Sequence, residues 1–201
     1  MCGRYHFSAE LLDEIRDLTE QKDWKLELGV LDRDIHPGDT APVITAAGDQ
    51  GGSLRACRQK WGYPGPGGKG LVFNARSESV FEKRMFRNSV SQRRAAVPVS
   101  WFYEWNKNKE KFTFTKEGSR ILFLAGFYGR YEDGDRFVIL TTQANASMAP
   151  VHSRMPFLRG NRSGNGFWTA KRQRNCWGRN RPGWQGTVSM SSRPCSETYT
   201  A

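Results

Sequence analysis

Short runs of branched and aromatic residues, separated by turn signals, recur along the first 160 positions, with period-two alternation at 2–7, and they predict a chain built chiefly of short strands. Residues 2–7 form the first, with Cys2, Arg4 and His6 on one face and Tyr5 and Phe7 on the other. Ser8 suits a helix N-cap, because Leu11, Leu12, Ile15 and Leu18 follow at helical spacing. Residues 34–38 read as a turn, and 41–45 and 54–61 as strands. Five glycines and two prolines make 62–70 a loop, after which 71–75 returns to strand and 78–86 is helix-like. The branched and aromatic residues of 95–105, 111–115, 121–131 and 136–142 predict further strands, with Asp133-Gly134 marking a hairpin. The implied class is α+β: a single domain of curved, mainly antiparallel sheets with a barrel-like core and short surrounding helices.

Composition adds a boundary. Residues 161–201 contain no leucine or isoleucine, yet three tryptophans and two cysteines, and follow neither period. The domain is therefore expected over 1–160, with 161–201 an atypical basic tail, either disordered or out of its reading frame. More than half of the net charge of +11 belongs to that tail, which carries +6 against +5 for the first 160 residues. Such a balance favours a polyanionic partner, while the mildly basic body makes charge a weak guide. No run of 18 apolar residues predicts a membrane span, and no basic-then-apolar start predicts a secretory signal. Cys2, Cys57, Cys176 and Cys195 form no C-x-x-C pair, so neither zinc nor a disulfide framework is expected, and a reducing cytoplasm is the default.

The start of the chain, Met1-Cys2-Gly3-Arg4, carries the most distinctive chemistry. Once the initiator methionine is removed, Cys2 bears an α-amine and a thiol on neighbouring carbons. Such an aminothiol condenses with an aldehyde to an imine and closes a thiazolidine through sulfur. The amine, with a reference pKa of about 7.7–8.0, is partly neutral near pH 7. The thiol is expected to be pushed lower by cations such as Arg4.

Three further motifs follow in order: Asn74-Ala75-Arg76-Ser77-Glu78, Trp101-Phe102-Tyr103-Glu104-Trp105 and His152-Ser153-Arg154-Met155-Pro156. With the cysteine at position two, this ordered set resembles the SRAP family, the SOS-response-associated peptidase-like proteins that sense abasic sites in single-stranded DNA. The resemblance runs from Met1 to about Leu158, with weaker echoes at Ile35-His36-Pro37 and Trp61-Gly62. Two departures stand out. Trp101 occupies a position where glycine is usual, and is expected to crowd the pocket. The 62–70 loop does not have, at the place the resemblance implies, the second aromatic expected after Trp61.

The resemblance implies a self-sacrificing DNA crosslinker of the SOS response, in which Cys2 traps the ring-opened abasic deoxyribose as a thiazolidine. Cys2, Asn74, Glu104 and His152 form the implied catalytic set. Glu104 lies among aromatics that would raise its pKa and suit it to proton donation, His152 would protonate a sugar oxygen, and Asn74 would hold the amine or an oxygen. Arg4, Arg76, Arg84 and Arg154 are the expected phosphate contacts, Trp61 a base-stacking platform and Pro37 a wedge. No metal or cofactor is implied. The expected state is a monomer in a bacterial cytoplasm, associated with the nucleoid when bound to DNA.

Plainer roles remain open for each residue. Glu104 suits a surface carboxylate, His152 a structural imidazole, Asn74 a turn cap and Trp61 a core ring, while His6 and His36 read as structural or surface residues. Two other functions also fit. One is a cysteine peptidase with Cys2 as nucleophile, His152 as base and Asn74 as orienter, acting on its own Met1-Cys2 bond. The other is a non-catalytic module that binds single-stranded DNA.

Overall fold

A computed structural model describes residues 2–19, 32–47, 53–116 and 118–158, together with the backbone of 192–194. Its elements in chain order begin with β1 (Tyr5–Phe7), α1 (Leu11–Leu18), β2 (Arg33–Ile35), β3 (Thr40–Ala47), β4 (Ser53–Trp61), β5 (Tyr63–Pro64), β6 (Leu71–Val72) and β7 (Asn74–Arg76). They continue with α2 (Arg84–Gln92), β8 (Arg94–Val99), β9 (Trp101–Trp105), β10 (Lys111–Phe114), β11 (Leu122–Tyr131), β12 (Gly134–Gln143), β13 (Arg154–Pro156) and β14 (Ser192–Pro194).

Strands β11, β8, β3, β4 and β12 pair in succession, and β12 returns to β11, so these five close into a barrel. Closure removes the free edges that an open sheet of this size would expose. Most pairings are antiparallel; β12 runs parallel to β4 and to β7. A second sheet, ordered β14-β10-β9-β1-β2, lies beside the barrel. The core joins both: Tyr5, Phe7 and Phe102 from the second sheet cluster with Val43, Trp61, Val97, Leu124 and Phe137 of the barrel strands. The expected fold class is the observed one.

Several local expectations shift. Residues 95–105 form two strands in different sheets, separated at Ser100, whose N–H donates to the His6 carbonyl at 2.9 Å. The helix expected over 78–86 forms later, at Arg84–Gln92, after a run of tight turns. Val80 and Phe86 are the buried anchors of that turn and helix, so their spacing records packing rather than one continuous helix. Ser8 does not cap α1; its backbone N–H donates to Ser100 Oγ and its carbonyl accepts from Leu11. The expectation for 161–201 lies outside the described residues except at β14, whose backbone pairs antiparallel with β10 from Phe112↔Pro194 to Phe114↔Ser192.

Candidate active site

Cys2 is fully buried just ahead of β1. Its carbonyl accepts a 2.7 Å hydrogen bond from Asn74 Nδ2, and its Sγ lies 3.7 Å from the Arg4 carbonyl. Asn74 is the first residue of β7 and sits opposite Ile139 of β12, so the barrel wall fixes its position. Its other amide atom, Oδ1, is buried without a hydrogen-bond partner among the described residues. An unmet buried acceptor is costly and suits an incoming N–H or O–H donor.

Glu104 reaches the same place from β9, where alternation turns Phe102 and Glu104 inward and Trp101, Tyr103 and Trp105 the other way. Only 2 % of Glu104 is exposed. Burial pushes its carboxyl above the usual range, against the pull of the positive amino terminus and of His152. The Cys2 thiol is raised far above its ordinary value, first by burial and then by the charge of Glu104. The sequence expectation of a thiol lowered by Arg4 is therefore corrected. The Arg4 guanidinium is turned to Asp34, at 3.8 Å, and to the face of Trp105, at 5.2 Å. Tyr5, whose buried hydroxyl is likewise without a partner among the described residues, is raised mainly by burial and secondarily by Cys2.

His152 follows the turns that end the β12–β13 connection, its N–H donating to the Met148 carbonyl. Its Nδ1 lies 2.9 Å from the Arg154 N–H and 3.1 Å from the Arg154 carbonyl. Nδ1 accepts from that N–H when the ring proton is on Nε2, and donates to that carbonyl when the proton is on Nδ1. Four candidates from distant segments thus converge: Cys2 bonds to Asn74, Cys2 feels Glu104, and Glu104 feels His152.

The expected DNA contacts fare differently. Arg76 and Arg84 are exposed, with no ion pair among the described residues. Pro37 is half-buried in a turn closed by Asp39, whose Oδ2 accepts from the His36 N–H. Trp61 is corrected: it is fully buried, its ring packs on Tyr5, Phe73 and Phe137, and its Nε1 donates to the Phe73 carbonyl at 3.0 Å. No face of it is free for a base. Trp101 does not crowd the Glu104 side. It stacks on His6 at 4.1 Å on the opposite face, and its Nε1 donates to the Tyr103 hydroxyl. Arg154, expected on phosphate, is held by Glu78 and Thr141. Glu78 belongs to the second motif, but its pairing with Arg154 was not legible in sequence, because the two lie 76 residues apart. Among the described residues no group of three or more His, Cys, Asp or Glu could hold a metal ion, and no helix is long and apolar enough to cross a membrane.

Residues 1–176 match the family model described as SOS response associated peptidase (SRAP). The abasic site processing protein YoqW of Bacillus subtilis is 29% identical over 176 residues, covering 79% of this chain and 75% of its own length. YedK of Escherichia coli, also named an abasic site processing protein, is 27% identical over 79% of this chain and 75% of its own. Among solved structures, a protein from Bordetella bronchiseptica matches with a TM-score of 0.72 at 17% identity, covering 98% of this chain and 100% of that one. One from Bacteroides thetaiotaomicron matches with a TM-score of 0.67 at 22% identity, over 78% and 76%.

Proposed function

From the premise that the chain belongs to the SOS response associated peptidase family, we propose that it captures abasic sites in single-stranded DNA as a covalent thiazolidine on Cys2. Relatives named as abasic site processing proteins support the substrate. The observation that carries the reading is the 2.7 Å bond from Asn74 to the Cys2 carbonyl, beside the buried carboxyl of Glu104.

The chemistry requires Cys2 to be the first residue. The free α-amine adds to the C1′ aldehyde of the ring-opened deoxyribose, giving a carbinolamine. Loss of water forms the imine, and the thiol then adds across C=N: the S–C bond forms and the thiol proton passes to nitrogen. One water leaves in all. A carboxyl raised by burial keeps its proton to higher pH, so Glu104 protonates the departing hydroxyl. His152 serves the sugar oxygen, and Asn74 Oδ1 accepts from the amine. Arg4, Arg76, Arg84 and Arg154 meet phosphates, and Pro37 wedges the flanking base.

A buried thiol held in its protonated form weighs against an ordinary thiolate peptidase, whose nucleophile must ionise near neutral pH. It suits a thiol that reacts second, after the amine has fixed the aldehyde beside it. The protein would act as a monomer in the cytoplasm, on damaged DNA, within the SOS response.

The test is mature protein, lacking Met1, mixed with single-stranded DNA that holds one abasic site. A band that survives denaturation is expected, and it should vanish with Cys2→Ala or with one uncleavable residue placed before Cys2. Full crosslinking by the blocked chain would refute the aminothiol mechanism.

A further inference from the structure

Trp61 lies in the core and Tyr63 is 1% exposed, so the segment expected to offer a stacking ring offers none. One aromatic among the described residues is exposed: Phe81, at 38%. It sits in the turns between β7 and α2, seven positions after Asn74, and its setting is that of a fixed platform. Its neighbour Val80 is fully buried, and Phe86, five positions on and within α2, is buried as well. The Ser79 N–H donates to the Arg76 carbonyl, the Glu82 N–H to the Ser79 carbonyl, and Arg87 Nε to the carbonyl of Phe81 itself at 3.2 Å. The backbone at Phe81 is therefore held from both sides while the residue stays partly exposed.

The surroundings are cationic. Arg76, Lys83, Arg84 and Arg87, all within six positions of Phe81 in the chain, are exposed, and of the two acids in the segment, Glu78 and Glu82, the first is occupied by Arg154. An exposed ring flanked by exposed guanidinium and ammonium groups has the chemistry of a single-strand nucleic-acid platform, where bases stack and cations follow the backbone. We propose that Phe81 stacks a base of the bound single strand, next to phosphates held by Arg76 and Arg84. This rests on the crosslinking function proposed above and adds to it the residue that seats the flanking base.

The experiment measures binding of an intact, fluorescently labelled single-stranded oligonucleotide by the full chain across a salt series, with a thermal melt for each variant. Phe81→Ala should weaken binding about tenfold. Phe81→Leu should weaken it nearly as much, since it keeps apolar area but loses the flat face. Phe81→Trp should bind within about twofold of wild type, and its indole emission should be quenched by DNA. The salt slope should not change, whereas Arg84→Ala should flatten it. Unchanged affinity in Phe81→Ala, with the wild type still crosslinking abasic DNA, overturns the stacking role and leaves the crosslinking function standing. A wild-type chain that neither binds nor crosslinks overturns both. Loss of a dimer in Phe81→Ala, with DNA affinity intact, assigns the ring to a second copy and likewise overturns the role.

Discussion

Arg154 grips Glu78 with both terminal nitrogens, Nη1 to Oε1 and Nη2 to Oε2, each at 3.0 Å. Its Nη2 also donates to the Thr141 carbonyl at 2.6 Å and to Thr141 Oγ1 at 3.2 Å. This pair joins the segment that carries Asn74 to the segment that carries His152. The Arg154 hydrogen bonds are also the main reason that the Glu78 carboxyl lies below its ordinary range. A phosphate that approaches Arg154 competes with a carboxylate already seated there.

Glu78→Gln should therefore act in two directions. Affinity for intact single-stranded DNA should rise, because a negative charge beside Arg76 and Arg154 is gone. Crosslinking at saturating DNA should slow, because Arg154, whose N–H meets His152, loses its clamp. Glu78 is half exposed, so the stability cost should be small, on the order of 0–1 kcal/mol. A carboxyl with a lowered pKa stabilises the fold above the ordinary carboxylate range, and that contribution fades as pH falls through the lowered value. Gel-shift titration and single-turnover crosslinking measure the two effects, and a parallel fall in both would contradict the division.

For Glu104 the sign of the pH effect reverses. The folded state binds its proton more tightly than the unfolded chain, so its contribution is fully present below the ordinary carboxylate value and is lost as pH rises through the elevated one. Glu104→Gln should thus melt higher than wild type at pH 7, by about 2–4 °C, with the gap closing toward pH 4. The same variant should crosslink far more slowly while binding intact DNA normally, since no phosphate contact is removed. Calorimetry at the two pH values checks the first statement, and wild-type crosslinking speed would defeat the second.

The Cys2 thiol should resist alkylation in the folded protein. Burial and the nearby Glu104 charge keep it protonated, so iodoacetamide at pH 7.5 should label it at least about tenfold more slowly than it labels the urea-unfolded chain. Labelling should quicken only at pH well above the ordinary thiol range. Peptide mapping by mass spectrometry separates Cys2 from the other three cysteines. Fast native labelling at Cys2 would be incompatible with a buried, protonated thiol.

Trp61→Ala should cost about 3–5 kcal/mol, as removal of a large core ring does. Trp61→Phe should lose less, keeping a ring against Tyr5 and Phe137 but not the donor to Phe73. Neither should alter the single-strand affinity of the folded fraction. Urea denaturation paired with binding titration tests this, and a stable Trp61→Ala with weakened binding would restore the ring as a platform.

Runs of branched and aromatic residues made most strands legible, because strands such as β8 and β11 are buried along nearly their whole length, while alternation marked β1. The break at Ser100 was not, since the strands on either side are both rich in buried residues and read as one run. The signal was instead the hydrogen bonds from Ser100 to His6 and Ser8, which only the folded chain brings together. The four site candidates were legible as residue types within motifs. Their meeting was not, because Asn74 and Cys2 are 72 positions apart. The inward turn of Glu104 follows from simple alternation with Phe102. The exposure of Phe81 required knowing that Val80, and not Phe81, fills the core.

Strand β12 is the support that both arms of the site share. It pairs with β7 from Ile139↔Asn74 to Thr141↔Arg76, and with β13 from Thr141↔Pro156 to Gln143↔Arg154, while also closing the barrel against β11. Among the described residues, no hinge therefore separates the Asn74 arm from the His152 arm. Asn74 and the His152 segment cannot separate without unzipping a strand of the barrel wall, so amide protons such as that of Ser77, bonded to the Thr141 carbonyl, belong to the same cooperative unit as the core. Under the proposed function the protein would react once and stay attached, so the rigidity that slows product release in a turnover enzyme would cost it nothing.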